Sequence, residues 1–415
     1  MITRTRCRIC GSDKLKKVID LGEQPLANNF ILEHIVKEKI FLEINEPKYP
    51  LVLYRCEECG LVQLTNIVAP EEMFSNYPYY TGRSSKTLPE HFQNLAQKLT
   101  KEYDLTSQDL VIDIGSNDGT LLKAFKTRRL GIEPCFEIAQ FADDENHVPT
   151  IPDYFSSSLA MDILNWQGKA KVITATNVFA HIDNLYDVMA GVKLLLEDDG
   201  VFVIEVQHFQ EMFKRLEFDQ IYHEHLSYFL TEPLLILADN CGFVMTKLEQ
   251  IPIHGGSLRV YFEHHHPVKD SVFGDILLKE TISGLYEEKT YASWEEKIKH
   301  TKKELVETLA VLKKLGRRIV GYGAPAKGNT LLNYCKIGPK TLDYLLDTTP
   351  AKQGKYSPGM HIPVVSPDEF YKNPPDYALM LAWNYKDEIL KKEQKFIENG
   401  GKFIIPIPEP EIIPK

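Results

Sequence analysis

The chain has 415 residues, 43% of them hydrophobic and 26% charged, with a formal net charge of −10. That length exceeds the range in which one core keeps growing and predicts two or three domains. The acidic balance argues against a nucleic-acid partner, which needs a basic face, and no apolar run approaches the ~18 residues of a membrane span.

The first residues show no apolar signal region before Cys7, so a cytoplasmic protein is expected. Seven cysteines in such a chain read as metal ligands or core rather than as a disulfide framework.

The chain opens on two CxxC pairs, Cys7-Arg-Ile-Cys10 and Cys56-Glu-Glu-Cys59, each followed directly by a glycine, Gly11 and Gly60. Two residues between thiolates let both sulfurs of a tight turn face one ion, and glycine lets the turn close. Four thiolates fill a tetrahedral zinc shell, which makes the metal structural and leaves no open position for chemistry. The insert between the pairs holds Pro25 and Asn28-Asn29-Phe30, and its packing is left open.

A helix is predicted around residues 90–103. Leu110-Val-Ile-Asp-Ile114 follows as a strand, runs into Gly115-Ser-Asn-Asp-Gly119, and a helix begins at Thr120. Strand, glycine loop and helix let the backbone approach a ligand. A second strand ends at Glu133, an acidic residue placed to hold ribose hydroxyls. Lys171–Asn177 and Gly200–Val206 are further strands, the latter preceded by an acidic turn at 197–199. Strands alternating with helices predict a parallel α/β sheet, with ligands outside the carboxyl ends of its strands. No lysine follows the loop as in a phosphate-binding P-loop. The pattern favours an adenosyl cofactor.

Tyr222-His-Glu-His225 is the densest group of proton-transferring side chains. Acid/base chemistry, a metal site or a cluster without a role are all compatible with it. His181, just after a strand end, is a second candidate. His264-His265-His266-Pro267 reads as structural or solvated.

Residues 291–315 show helical spacing at Trp294, Ile298, Leu305, Leu309 and Leu312. Arg317–Tyr322 is then a strand, with a glycine loop at 323–330 and a second strand ending in Asp347. Gly321-x-Gly323-x-x-Ala326 fits a dinucleotide fingerprint, with phosphate expected at the helix start beside Lys327. A nicotinamide-dependent oxidoreductase is therefore a competing reading, although the segment suffices only for one mononucleotide-sized half.

Taken in order, these elements resemble the sugar C-methyltransferases of deoxysugar biosynthesis, which act on nucleoside diphosphate 4-keto-6-deoxysugars. The resemblance runs through the CxxC pairs, Tyr77-Pro-Tyr-Tyr80, Asp113–Gly119, Gly131-Ile-Glu-Pro134, Asn177–His181, Tyr222–His225, His254-Gly-Gly-Ser-Leu-Arg259, Gly321–Gly328 and Lys352-Gln-Gly-Lys355. It implies an α/β chain of three parts: a zinc module at 1–70, a Rossmann-like S-adenosylmethionine domain at 71–270, and a Rossmann-like nucleotide-sugar domain at 271–415. It implies His225 as the base, with Tyr222 and Glu224 positioning or sharing protons and His181 near the sugar. Asp113, Gly115, Ser116, Asn117, Asp118, Glu133 and Asn177 would serve the cofactor. Tyr79, Tyr80, Arg259, Tyr322, Lys327, Asn329 and Asp347 would serve the substrate, and Cys7, Cys10, Cys56 and Cys59 the zinc. An O- or N-methyltransferase on a similar substrate and a non-catalytic scaffold remain as alternatives.

Overall fold

Runs of aliphatic residues with few polar positions make stable strands only when both faces are covered. Leu110–Ile114 and Ala170–Thr176 are such runs, and so is the second half of Leu196–Gln207. The computed structural model, which describes residues 1–38, 46–74, 87–264 and 272–414, builds them into a seven-stranded sheet. From one edge the order is Val244–Ile251, Ser257–Glu263, Leu196–Gln207, Ala170–Thr176, Leu110–Ile114, Arg128–Ile132 and Thr150–Ile151. The last five are parallel, Ser257–Glu263 runs against them, and Val244–Ile251 runs against it.

Alternate side chains go to opposite faces. Val111, Val172 and Val203 pack under the helix Thr87–Glu102, whose Leu88, Phe92, Leu95 and Leu99 form its buried stripe. Ile112, Ile173 and Phe202 pack on the other side with Val188, Met189 and Val192 of Leu185–Leu195. The acidic turn expected at 197–199 lies within a strand instead. Leu196 pairs with Ala170, and a register shift between Ala170 and Val172 takes up the irregularity.

The zinc module has its own antiparallel sheet, and a strand from the central domain completes it. The order is Ser227–Tyr228, Val62–Leu64, Tyr49–Cys56, Leu15–Gln24. Its Val18, Ile19 and Leu53 share a core with Trp294, Ile298 and Leu305 of the long helix Glu288–Lys314. A module this small lacks a sufficient core of its own, and it obtains one here by docking.

The C-terminal sheet has the order Val364–Val365, Leu345–Leu346, Ile319–Tyr322, Tyr377–Met380, Lys402–Ile405, Glu411–Ile413, parallel except for the last strand. The strand expected to end at Asp347 is only two residues long. Lys355–Tyr356 of this part pairs with Ile31–Leu32 from the insert between the cysteine pairs.

Among the described residues no helix is long and apolar enough to cross a membrane. Tyr79, Tyr80, His265 and His266 lie outside the described residues, while the His264 ring stacks on Phe243 at 5.2 Å.

Candidate active site

The two cysteine turns are built alike. Gly11 N–H donates to the Cys7 carbonyl and Gly60 N–H to the Cys56 carbonyl, both at 3.1 Å, and both glycines have φ near +70°. The four sulfurs lie within 4.8 Å of one another, with Cys7 3.5 Å from Cys59 and Cys10 3.4 Å from Cys56. Four soft donors converging from two knuckles fit a tetrahedral zinc. Among the described residues this is the one cluster able to hold a metal ion, so the His223/His225 pair does not assemble a second.

The loop after Leu110–Ile114 is folded over the neighbouring strand. Gly115 and Ser116 N–H groups both donate to the Ile132 carbonyl. Gly115 has φ +68°, and a Cβ there would lie 2.7 Å from the Val178 side chain. Glu133 receives Asn117 N–H at 3.0 Å on one oxygen and Cys135 N–H at 2.9 Å on the other. Each oxygen keeps a lone pair, so the carboxylate can still accept from a ribose. Asp118 takes the Thr120 hydroxyl at 2.6 Å and starts the helix. Asn177, at φ +58°, donates its N–H to the Glu205 carbonyl. The Ser116 hydroxyl is buried with no partner, a polar group that a ligand in the loop would satisfy. These residues fit an adenosyl cofactor.

Asp113 sits lower than the others, inside the sheet, where it accepts the Thr174 hydroxyl at 2.6 Å. Burial, opposed by that bond, pushes its carboxyl up from 3.8 to about 7. Between those values the unfolded chain has lost the proton that the folded chain keeps. Stability is therefore full below pH 3.8 and falls as pH rises through the window. Asp113→Asn, which mimics the protonated acid, is expected to raise the melting temperature relative to wild type at pH 8 and to give no gain at pH 4. Calorimetry at the two pH values checks this.

The segment 220–226 is a turn held from both sides. His225 N–H donates to the Tyr222 carbonyl, and His225 Nδ1 lies 2.9 Å from the Gln220 carbonyl. A carbonyl only accepts, so Nδ1 carries the proton and Nε2 the lone pair. Tyr222 Oη donates to that Nε2 at 2.8 Å. The His181 ring stacks on His225 at 5.1 Å and on Phe74 at 5.7 Å. Burial lowers His225 well below 6.5, helped by His181 and His254, and burial lowers His181 to about 4. Both imidazoles are neutral at pH 7.

His223 and Glu224 go elsewhere. His223 Nε2 meets the Tyr49 carbonyl at 3.2 Å. Glu224 accepts from Asn28 Nδ2 at 2.8 Å, and burial pushes its carboxyl up to about 7 against the pull of Asn28 and Lys352. Glu224, expected to position or share protons beside His225, thus bonds to Asn28 of the cysteine insert and joins that insert to the 220–226 turn.

In the C-terminal part, Lys327 is buried, its ammonium 4.0 Å from the Trp383 ring and without a hydrogen-bond partner. Burial pushes Lys327 below its ordinary 10.5, opposed by the carboxylates of Asp219 and Glu217, and Trp383 donates to Asp219 at 2.7 Å. Asn329 Nδ2 donates to the Ala27 carbonyl at 2.7 Å, while its Oδ1 is buried without a partner. Asp347 accepts Ala324 N–H and Thr349 N–H, both at 2.8 Å, and so braces the glycine loop.

Two expected substrate residues are otherwise engaged. Tyr322 is a core residue whose ring meets Phe370 and Phe403 and whose hydroxyl donates to Glu393 at 2.6 Å. Arg259 is spent on Glu205 at 2.7 Å and Glu249 at 3.2 Å.

Sequence reasoning missed a neighbouring pair. His91 Nε2 lies 2.7 Å from Glu205, which stands toward the carboxyl end of its strand. Histidine and glutamate are distant in sequence, and only the helix Thr87–Glu102 crossing the sheet brings them together. His254, in the left-handed region at φ +53°, also belongs to this group, and burial lowers it to about 4 against the opposing carboxylate of Glu205.

Comparison with known proteins covers almost the whole chain. The "Putative zinc binding domain" matches residues 7–74, a methyltransferase domain 88–248, and the C-methyltransferase C-terminal domain 252–408. The last covers the dinucleotide-like segment, and the nicotinamide reading gives way to it. The C-methyltransferase NovU of Streptomyces niveus is 35% identical over 413 residues, 98% of this chain and 96% of that protein.

Among solved structures, an S-adenosylmethionine-dependent methyltransferase from Anabaena variabilis is similar at TM-score 0.33 and 15% identity, over 42% of this chain and 84% of its own. One from Clostridium acetobutylicum is similar at TM-score 0.35 and 12% identity, over 43% and 92%. With the cysteine cluster and the methyltransferase and C-methyltransferase domains standing in order, the chain belongs to the C-methyltransferase family, as an enzyme that uses S-adenosylmethionine and holds a structural zinc.

Proposed function

We propose that this C-methyltransferase methylates C3 of a nucleoside diphosphate 4-keto-6-deoxysugar in the cytoplasm. The observation that carries the reading is the Tyr222–His225 pair, a neutral imidazole in a fixed tautomer with its lone pair engaged by a phenol. Such a pair suits removal of a proton from carbon. A simple O- or N-methylation has less need of a base.

With substrate bound the Tyr222 hydroxyl turns off the ring, His225 Nε2 takes the C3 proton, and the electron pair of the broken C3–H bond passes toward the 4-keto oxygen. The pair then returns to C3 to form the new carbon–methyl bond and the ketone is restored, while the electron pair of the broken sulfur–methyl bond would stay on sulfur, giving S-adenosylhomocysteine. When bound, S-adenosylmethionine supplies the electrophilic methyl group. Glu133 and the 115–118 loop orient the cofactor. A base lowered in strength by burial needs the enolate oxygen stabilised. Lys327 is the group we assign to that oxygen, because it is a buried ammonium without a hydrogen-bond partner. Asn329 and the loop braced by Asp347 would serve the nucleotide.

Incubation with S-adenosylmethionine and a panel of nucleoside diphosphate 4-keto-6-deoxysugars tests the reading. A product heavier by one methyl group, carbon-linked by NMR, supports it. A methyl group on oxygen or nitrogen refutes it.

A further inference from the structure

Arg8 stands inside the first zinc knuckle, between Cys7 and Cys10, yet its fully buried side chain points into the protein. Nη1 donates to the Leu226 carbonyl at 2.9 Å and to Gln63 Oε1 at 3.2 Å. Nη2 donates to the Leu64 carbonyl at 3.1 Å, and Nε to Asp183 Oδ1 at 3.0 Å. A guanidinium offers its donors in one rigid plane, so these bonds fix their acceptors relative to one another.

Two of the acceptors belong to the loops that carry the histidines. Leu226 directly follows His225. Its carbonyl also accepts Leu64 N–H at 3.0 Å, and its own N–H donates to the Ala180 carbonyl at 2.9 Å. Asp183 closes the turn that carries His181 and is held as well by Arg4 at 2.6 Å. Those two histidines stack at 5.1 Å. Arg8 reaches neither imidazole. Burying a guanidinium is unfavourable and is compensated here chiefly by Asp183.

We propose that Arg8 is a positioning residue that transmits the geometry of the zinc knuckle to both histidine loops, so that the structural metal also sets the alignment of the base. Only the catalytic half of this statement rests on the proposed reaction.

The test compares zinc-loaded, full-length wild type with Arg8→Lys, Arg8→Ala and Arg4→Ala. Its readouts are zinc content, hydrogen exchange by segment, and steady-state kinetics. Arg8→Lys keeps the charge but loses the forked reach. It is expected to retain its zinc and to exchange about tenfold faster in 178–183 and 222–228, as loss of a charged hydrogen bond predicts. The cofactor strand and loop at 110–133 should be unchanged. Turnover should fall while KM stays within about twofold. Zinc chelation of wild type should accelerate the same two segments, together with the zinc module itself and the core it docks on. Arg4→Ala should loosen 178–183 alone.

Exchange in Arg8→Lys close to wild type in both loops overturns the inference, and so does a uniform acceleration along the whole chain. If Arg8→Ala does not fold, Arg8→Lys decides. If the loops respond as expected but wild type methylates no keto sugar, the coupling stands and the proposed reaction falls.

Discussion

His225→Asn is expected to lower turnover by about a thousandfold, the range found for removing a positioned base. S-adenosylmethionine affinity should stay within about twofold, since the 115–118 loop and Glu133 do not touch the imidazole. The fixed tautomer is what makes the effect large. The Gln220 carbonyl consumes Nδ1–H, so Nε2 is the only basic atom of the ring, and Tyr222 aligns it. Tyr222→Phe leaves the lone pair in place and is expected to cost less, about ten- to a hundredfold.

The pH profile follows from the same geometry. Protonation of Nε2 removes the lone pair, and burial places that event well below 6.5. The imidazole is therefore competent across neutral pH. Initial rates should be flat from pH 6.5 to 8 and fall only on further acidification. An acid limb centred at or above 6.5 would point to another base.

The second large effect is expected from the metal. Cys56→Ser with Cys59→Ser should bring zinc content close to zero and lower the melting temperature by about 10 °C or more, because a structural zinc site contributes folding free energy outright. The loss should not stay local. The sheet that contains Cys56 ends in Ser227–Tyr228, and its Val18, Ile19 and Leu53 share a core with the helix Glu288–Lys314. Calorimetry and metal analysis check this. A double variant that melts like wild type would mean that the docked core holds the module without its ion.

Much of this was legible because the chemistry is local. A CxxC-Gly turn states its own purpose, and both knuckles form the same hydrogen bond across the same φ. Leu110–Ile114 is wholly apolar except for Asp113, and the strand appears with the bounds its pattern sets.

What could not be read is long-range. Glu224 stands one position from His225 but is claimed by Asn28, 196 positions away. Arg259 belongs to a conspicuous His-Gly-Gly segment, yet the register opposite Glu205 commits its guanidinium to that carboxylate. Tyr322 sits in a glycine-rich fingerprint, but alternation along its strand sends the ring into the core against Phe370 and Phe403. His91 had no local signal at all. In each case the partner is chosen by sheet register or domain docking, which a single sequence does not display.

In the proposed reaction the Tyr222–His225 pair removes a proton from the carbon beside a ketone. Deuterium wash-in tests it most directly. A nucleoside diphosphate 4-keto-6-deoxysugar would be incubated in deuterated water with the enzyme and S-adenosylhomocysteine, so that no methyl transfer can follow. Incorporation at C3 by wild type, at a rate cut by about a thousandfold in His225→Asn, is the predicted result. Wild-type methylation at C3 with equal deuterium incorporation by His225→Asn would contradict the account and move the base to another residue of the site.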